Sequence, residues 1–189
     1  MTNDPAMEPN TALLLVDVQV GMNDAYYGSR NNPDAELVLA RVLKRWRERK
    51  WPVYHVQHLS TEADSPLRPE RPGSAIRPEV APIAGEPLFQ KHVNSGFIGT
   101  ALEATLRQAG ITSLVVGGLT TEHCISTTVR MAANLGFEVT LLSDGTAAFS
   151  KKGPDGREWT AEEVHSVSLA TLDGEFAAVR TSSEVLGER

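Results

Sequence analysis

Leu114-Val115-Val116-Gly117-Gly118-Leu119-Thr120-Thr121-Glu122-His123-Cys124 is the stretch on which the fold turns. Its apolar start reads as a strand buried on both faces. The glycine pair permits a sharp change of direction, and from Ile125 to Leu135 the spacing is helical, with Gly136 as its stop. Cys124, the only cysteine of the chain, stands at this strand-to-helix elbow. Free N–H groups and the dipole of a helix start favour thiolate over thiol. The position therefore predicts an activated sulfur with a pKa below the ~8.5 of a free cysteine.

On either side of the elbow the same alternation repeats. Leu13-Leu14-Leu15-Val16 is an apolar run ending in Asp17, and Pro52-Val53-Tyr54-His55-Val56 reads as a second strand. Between them, Asn32-Pro33-Asp34 opens a helix to about Lys50, with Leu37, Val38, Val42, Leu43 and Trp46 expected on one face. Pro87 to Lys91 is a short third strand. A helix from Gly99-Thr100, carrying Ala101, Leu102, Leu106 and Ala109, should end at Gly110, and Ile111 to Val116 is the fourth strand. Phe137 to Leu142 is the fifth strand, Thr160 with Glu163 forms a capping box for a fourth helix, and Phe176 to Val179 is a last strand. Strands alternating with helices imply right-handed βαβ crossovers and a parallel sheet covered on both faces.

In such sheets ligands bind beyond the C-terminal strand ends. Asp17, Lys91 and Cys124 each occupy such an end. Singly, each has a plain structural reading: a small buried thiol, a turn-capping carboxylate, a solvated lysine. Jointly they supply a nucleophile, a carboxylate able to take and return its proton, and an ammonium that holds both. The Gly118 to Cys124 elbow offers backbone donors for an oxyanion.

Composition narrows the classes. With 189 residues, 41% of them apolar and 22% charged, the chain suits one globular domain spanning 1–189. A net charge of −6 gives no broad basic surface for nucleic acid or an anionic membrane. A lone cysteine excludes an intrachain disulfide, residues 2–5 lack the basic, apolar start of a leader, and no apolar run is long enough to span a bilayer. A cytoplasmic location is expected.

Asp17-Val18-Gln19, then Lys91 followed by Asn94-Ser95-Gly96-Phe97-Ile98-Gly99-Thr100, then Gly118 to Ile125, resemble the isochorismatase-like cysteine hydrolases. The resemblance runs from about Thr11 to Val179. It implies a three-layer α/β/α, Rossmann-like fold with a six-stranded, mainly parallel sheet and a catalytic Asp17, Lys91, Cys124 triad. It also implies a non-proline cis peptide at Leu119–Thr120 and an oxyanion hole from the Thr120 and Cys124 N–H groups. A homo-oligomer, dimer or tetramer, is implied as well.

Relatives that cleave the vinyl ether of isochorismate without covalent catalysis replace the thiol, whereas this chain keeps it. Relatives that deamidate nicotinamide resemble one another in an Asp-x-His metal pair, where this chain reads His58-Leu59-Ser60. No metal and no cofactor are expected. His55 and His58 lie three apart on a strand and should point to opposite faces. Gly145, where relatives usually have Ala, reads as local backbone freedom.

The leading expectation is cleavage of a C–N bond in a small amide, carbamoyl or ureido substrate through a thioester on Cys124. Gln19, Asn23, His58 and Phe97 are candidate pocket walls. Two readings stay open beside it: vinyl-ether hydrolysis by Asp17 without the thiol, and a binding or redox-sensing scaffold. The 60–85 segment, rich in Pro, Gly, Ser and charge, reads as a long functional loop that could reach a neighbouring subunit.

Overall fold

Strands buried on both faces need apolar residues at consecutive positions, and the Thr11–Val16 stretch is buried at every one. The computed structural model describes residues 10–188; the leader reading of residues 2–5 lies outside them. In chain order the strands are β1 (Thr11–Val16), β2 (Val53–His58), β3 (Leu88–Lys91), β4 (Ser113–Leu119), β5 (Glu138–Ala147), β6 (Lys151–Lys152), β7 (Glu158–Trp159) and β8 (Ala178–Arg180). The helices are α1 (Ala35–Arg49), α2 (Leu102–Gln108), α3 (Ser126–Asn134), α4 (Ala161–Ala170) and α5 (Ser182–Leu186). Six strands form one sheet in the order β3-β2-β1-β4-β5-β8, and every pairing is parallel. The remaining two, β6 and β7, pair as a small antiparallel hairpin.

Side chains alternate along a strand, so β1 feeds two cores. Ala12, Leu14 and Val16 pack with Leu102, Leu106, Val129 and Ala132 of α2 and α3. Leu13 and Leu15 pack with Leu39, Val42, Leu43 and Trp46 of α1 and with Leu186 of α5. The result is the three-layer α/β/α arrangement expected.

Several local expectations shift. The buried face of α1 is Ala35, Leu39, Val42, Leu43 and Trp46, whereas Leu37 is 61% exposed. At 100° per residue, Leu37 sits about 200° around the axis from both Ala35 and Leu39. The buried face of α2 is Leu102 and Leu106 alone; Ala101 and Ala109 face solvent. The last sheet strand begins at Ala178 rather than Phe176. Two elements were not anticipated: the β6–β7 hairpin and α5, whose Thr181–Glu184 capping box matches that of Thr160–Glu163 on α4.

Two glycines set the shape of the central strands. A Cβ on Gly118 (φ 137°) would lie 1.9 Å from the Val16 carbonyl oxygen. At Gly145 a Cβ would meet Leu142 Cβ and Leu39 Cδ2, each at 2.9 Å. Gly145 is thus a point of close packing rather than of backbone freedom. It sits where β5 breaks register: Val116 pairs Leu141, but Gly118 pairs Thr146.

The chain leaves β1 toward β2 on one side and β4 toward β5 on the other, so the order reverses between β1 and β4. That switch point, beyond the C-terminal strand ends, is where such sheets bind ligands.

Candidate active site

Three strand ends deliver the site. Asp17 follows β1 in a left-handed conformation (φ 54°), which Asp tolerates better than bulkier residues. Lys91 closes β3 and pairs in register with His58, the last residue of β2. Cys124 lies in the single π-turn, Thr121–Ile125, that joins β4 to α3. The peptide before that turn, Leu119–Thr120, is cis as expected. The Thr120 carbonyl accepts from His123 N–H (3.2 Å) and Ile125 N–H (3.1 Å), the amides either side of Cys124.

Lys91 is the hub. Its Nζ donates to Asp17 Oδ2 at 2.6 Å and to Cys124 Sγ at 3.3 Å, and lies 3.3 Å from His58 Nδ1. Asp17 is 0% and Lys91 1% exposed. Asp17 Oδ1, by contrast, is buried and accepts no hydrogen bond among the described residues. It is a free acceptor inside the site.

The electrostatics correct one expectation. Burial, chiefly, and the negative charge of Asp17 push the Cys124 thiol above its ordinary value, although Lys91 opposes them. Cys124 is within the π-turn, not at the exposed tip of a helix, so desolvation of the thiolate outweighs the local dipoles. Burial also raises Asp17, against the pull of Lys91. Both shifts describe a proton exchanged with solvent. A proton passed from Sγ to Asp17 leaves the site's net charge unchanged. That transfer avoids creating an unbalanced buried charge.

His58 is held neutral: burial first, then the Lys91 charge, take its imidazole down to about 4. Its Nδ1 therefore accepts from the ammonium. The carboxylate of Asp17, the imidazole of His58 and the thiol of Cys124 have ligand atoms within 4.8 Å of one another, a donor set of the kind that holds a metal ion. Lys91 Nζ contacts all three, so the ammonium stands where the ion would. While Lys91 is charged these residues do not fit a metal. His55, one candidate partner for His58, bonds Glu86 Oε2 at 2.9 Å on the far side of the strand.

A cleft of about 230 Å³ opens over Cys124, with His58 and Thr120 in its wall. The other three expected wall residues lie elsewhere. Gln19 spends its whole amide on the backbone: Nε2 donates to the carbonyls of His58 (3.0 Å) and Ser74 (2.7 Å), and Oε1 accepts from His58 N–H (2.9 Å). Asn23 is exposed and accepts from Arg30. Phe97 is in the core, stacked on Phe137 with centroids 6.0 Å apart. In their place the cleft takes Tyr26, Tyr27, Ser65, Leu67 and Phe149, and at its edge Glu62, His123 and Lys151.

The 60–85 segment is strapped down rather than loose. Ser74's carbonyl accepts from both Gln19 and Gln57, Val20 N–H bonds Ala75, and Arg77 N–H bonds Val18. The segment thereby fixes Ser60, Ser65 and Leu67 against the cleft.

A buried carboxylate and ammonium thus meet a half-buried thiol at the switch point of a parallel α/β/α sheet. Residues 11–184 match the isochorismatase domain, and the chain belongs to the isochorismatase family. It is 43% identical over 182 residues to the isochorismatase family protein YrdC of Bacillus subtilis, covering 96% of this chain and 97% of that one. A crystal structure of an isochorismatase family protein from Chromobacterium violaceum superposes with a TM-score of 0.92 at 46% identity, covering 96% and 94%. The ureidoacrylate amidohydrolase RutB of Stutzerimonas stutzeri is 35% identical over 105 residues, which are 56% of this chain and 40% of that enzyme. The protein is a hydrolase. Among the described residues no helix is long and apolar enough to cross a membrane.

Proposed function

We propose that this chain is a one-domain cysteine hydrolase that cleaves a C–N bond in a small amide, carbamoyl or ureido compound. The observation that carries the reading is Lys91 Nζ bridging the Asp17 carboxylate and the Cys124 sulfur inside the cleft. Similarity to an enzyme named as an amidohydrolase supports the C–N class.

In this reading Cys124 Sγ attacks the substrate carbonyl while its proton passes to Asp17, whose Oδ1 is unpartnered. Lys91 stays charged and stabilises first the carboxylate and then the thiolate. The Thr120 and Cys124 N–H groups receive the carbonyl oxygen as it becomes anionic. Collapse of the tetrahedral adduct breaks the C–N bond, and Asp17 gives its proton to the departing amine. Water then attacks the thioester, Asp17 takes one of its protons, and the acid and the free thiol leave the second collapse.

No metal or cofactor enters this sequence. The protein works in the cytoplasm as a homo-oligomer on a small-molecule substrate. The test is turnover of an amide, carbamate and ureide panel by the wild type and by Cys124→Ala. Cleavage that disappears in the variant supports the thiol's role, and cleavage that persists transfers the chemistry to Asp17 alone.

A further inference from the structure

Charge bookkeeping around the cleft identifies what the substrate carries at its other end; this rests on the hydrolase reading above. At the base, Asp17 and Lys91 cancel as an ion pair of 2.6 Å. Two residues before Cys124, the Glu122 side chain is only 10% exposed and its two oxygens accept no hydrogen bond among the described residues. Its compensating charge is Lys151 Nζ at 3.5 Å, so that ammonium is committed to an anion within the protein. His58 is neutral near pH 7, and His123 faces the same Glu122 carboxylate at 4.0 Å. What remains is Glu62, an exposed residue of the cleft lining, whose backbone N–H bonds Ser60 and whose carboxylate has no cationic partner among the described residues. Of the arginines in this loop, Arg68 is paired with Glu70 and Arg71 donates to the carbonyls of Ala63 and Asp64, and neither lines the cleft.

Aromatic rings line the same cleft as that charge. Tyr26, 51% exposed, meets Tyr27 edge to face at 5.1 Å, and Tyr27 is backed by Phe149 at 5.2 Å. Burial raises the Tyr27 phenol to about 12, with Glu62 and Cys124 among the groups that add to it. The phenol is therefore neutral in use. A carboxylate and neutral aromatic rings that share one cleft form a cation-recognising set. The cleft's volume lies below the range of about 300–1,000 Å³ usual for drug-sized ligands, so the occupant is compact.

We propose that the substrate is a small amide bearing a cationic group, ammonium or guanidinium, remote from the scissile carbonyl, received at the cleft mouth by Glu62 and the rings of Tyr26 and Tyr27. Glu62 is then a specificity residue, and Lys151 a positioning residue that neutralises Glu122.

The experiment uses three compact amides that differ in terminal charge: γ-aminobutyramide, butyramide and succinamate. Their binding to Cys124→Ala is measured by calorimetry, a readout independent of turnover, and their cleavage by the wild type is measured in parallel. The expected order of affinity is cation, neutral, anion. Attraction of one charge and repulsion of the other across several ångströms of water correspond to a cation-to-anion ratio of about fivefold. The ratio shrinks in high salt and falls to about one in Glu62→Gln. Equal affinities, no binding of any of the three, or preference for succinamate overturns the proposal, the last by giving Lys151 the recognition role. Failure of the hydrolase reading looks different: the expected charge order in binding with no cleavage by the wild type.

Discussion

Lys91 Nζ and Asp17 Oδ2 form a 2.6 Å ion pair with both side chains wholly out of solvent. Removing one member strands the other as a bare charge in a medium that cannot hydrate it, a loss of about 3–5 kcal/mol. Lys91→Ala should therefore lower stability to chemical denaturation by about that amount. The double variant Asp17→Asn, Lys91→Met, which removes both charges, should recover most of the loss while remaining inactive.

Reactivity and catalysis should separate in Asp17→Asn. The variant deletes a charge that holds the thiol proton on, leaving Lys91 beside the sulfur. Alkylation by iodoacetamide near neutral pH should accelerate as the thiol pKa falls, because the thiolate is the reacting form. Amide turnover should drop by about 10²–10⁴, the usual worth of a general acid–base. Parallel loss of both would contradict the electrostatic account of the site.

Gly118→Ala should be among the most damaging substitutions. The new methyl would lie 1.9 Å from the Val16 carbonyl oxygen, backbone that cannot swing aside, at a φ that L-residues avoid. A loss exceeding about 3 kcal/mol is expected, with depressed yield of folded protein.

Gln19→Ala should act on the loop rather than on the chemistry. It frees the His58 carbonyl and N–H and removes one of the two donors to the Ser74 carbonyl, which keeps Gln57, at a cost of about 1–3 kcal/mol for each buried group left bare. The measurable outcome is faster proteolysis within residues 60–85, with KM raised more than kcat is lowered.

Much of this was legible in the sequence, for identifiable reasons. The parallel sheet announces itself because β1 and β4 are buried on both faces and must be continuously apolar. The strand-end trio is legible in part for the same reason: Asp17 directly follows the buried β1, whereas Lys91 is the last residue of the largely exposed edge strand β3. The cleft wall is not. Tyr26 and Tyr27 lie in a short 3-10 turn, Phe149 and Lys151 follow a bulged strand, and Ser65 and Leu67 lie in an irregular loop. None of these segments has a period to read. The state of the thiol is not legible either, because a helix dipole can be inferred from sequence whereas the depth of burial that opposes it cannot. The Thr181-x-x-Glu184 box of α5, by contrast, is a start signal that the sequence carries openly.

Away from the site, Glu86 sets an acid limit on stability. Burial opposes its ionisation, but Arg47, His55 and the Ile83 N–H together bring the carboxyl down from 4.5 to about 2. A depressed folded pKa means that the contribution is fully present above about 4.5 and disappears as pH falls toward 2, amounting to about 3 kcal/mol. His55, lowered by its burial, adds a loss with the same sign that begins below its unfolded value of 6.5. Denaturation midpoints measured from pH 7 to 2 should fall across this window, and Glu86→Gln should flatten the slope between 4.5 and 2.

The central claim is a covalent acyl group on Cys124. The most direct measurement is intact-mass spectrometry on a reaction acid-quenched within one turnover, using whichever panel member is cleaved fastest. The account predicts a mass increase equal to the substrate's acyl portion, mapped to the Cys124 peptide, removed by hydroxylamine and missing in Cys124→Ala. Turnover with no adduct, and with Cys124→Ala retaining the wild-type rate, would contradict it.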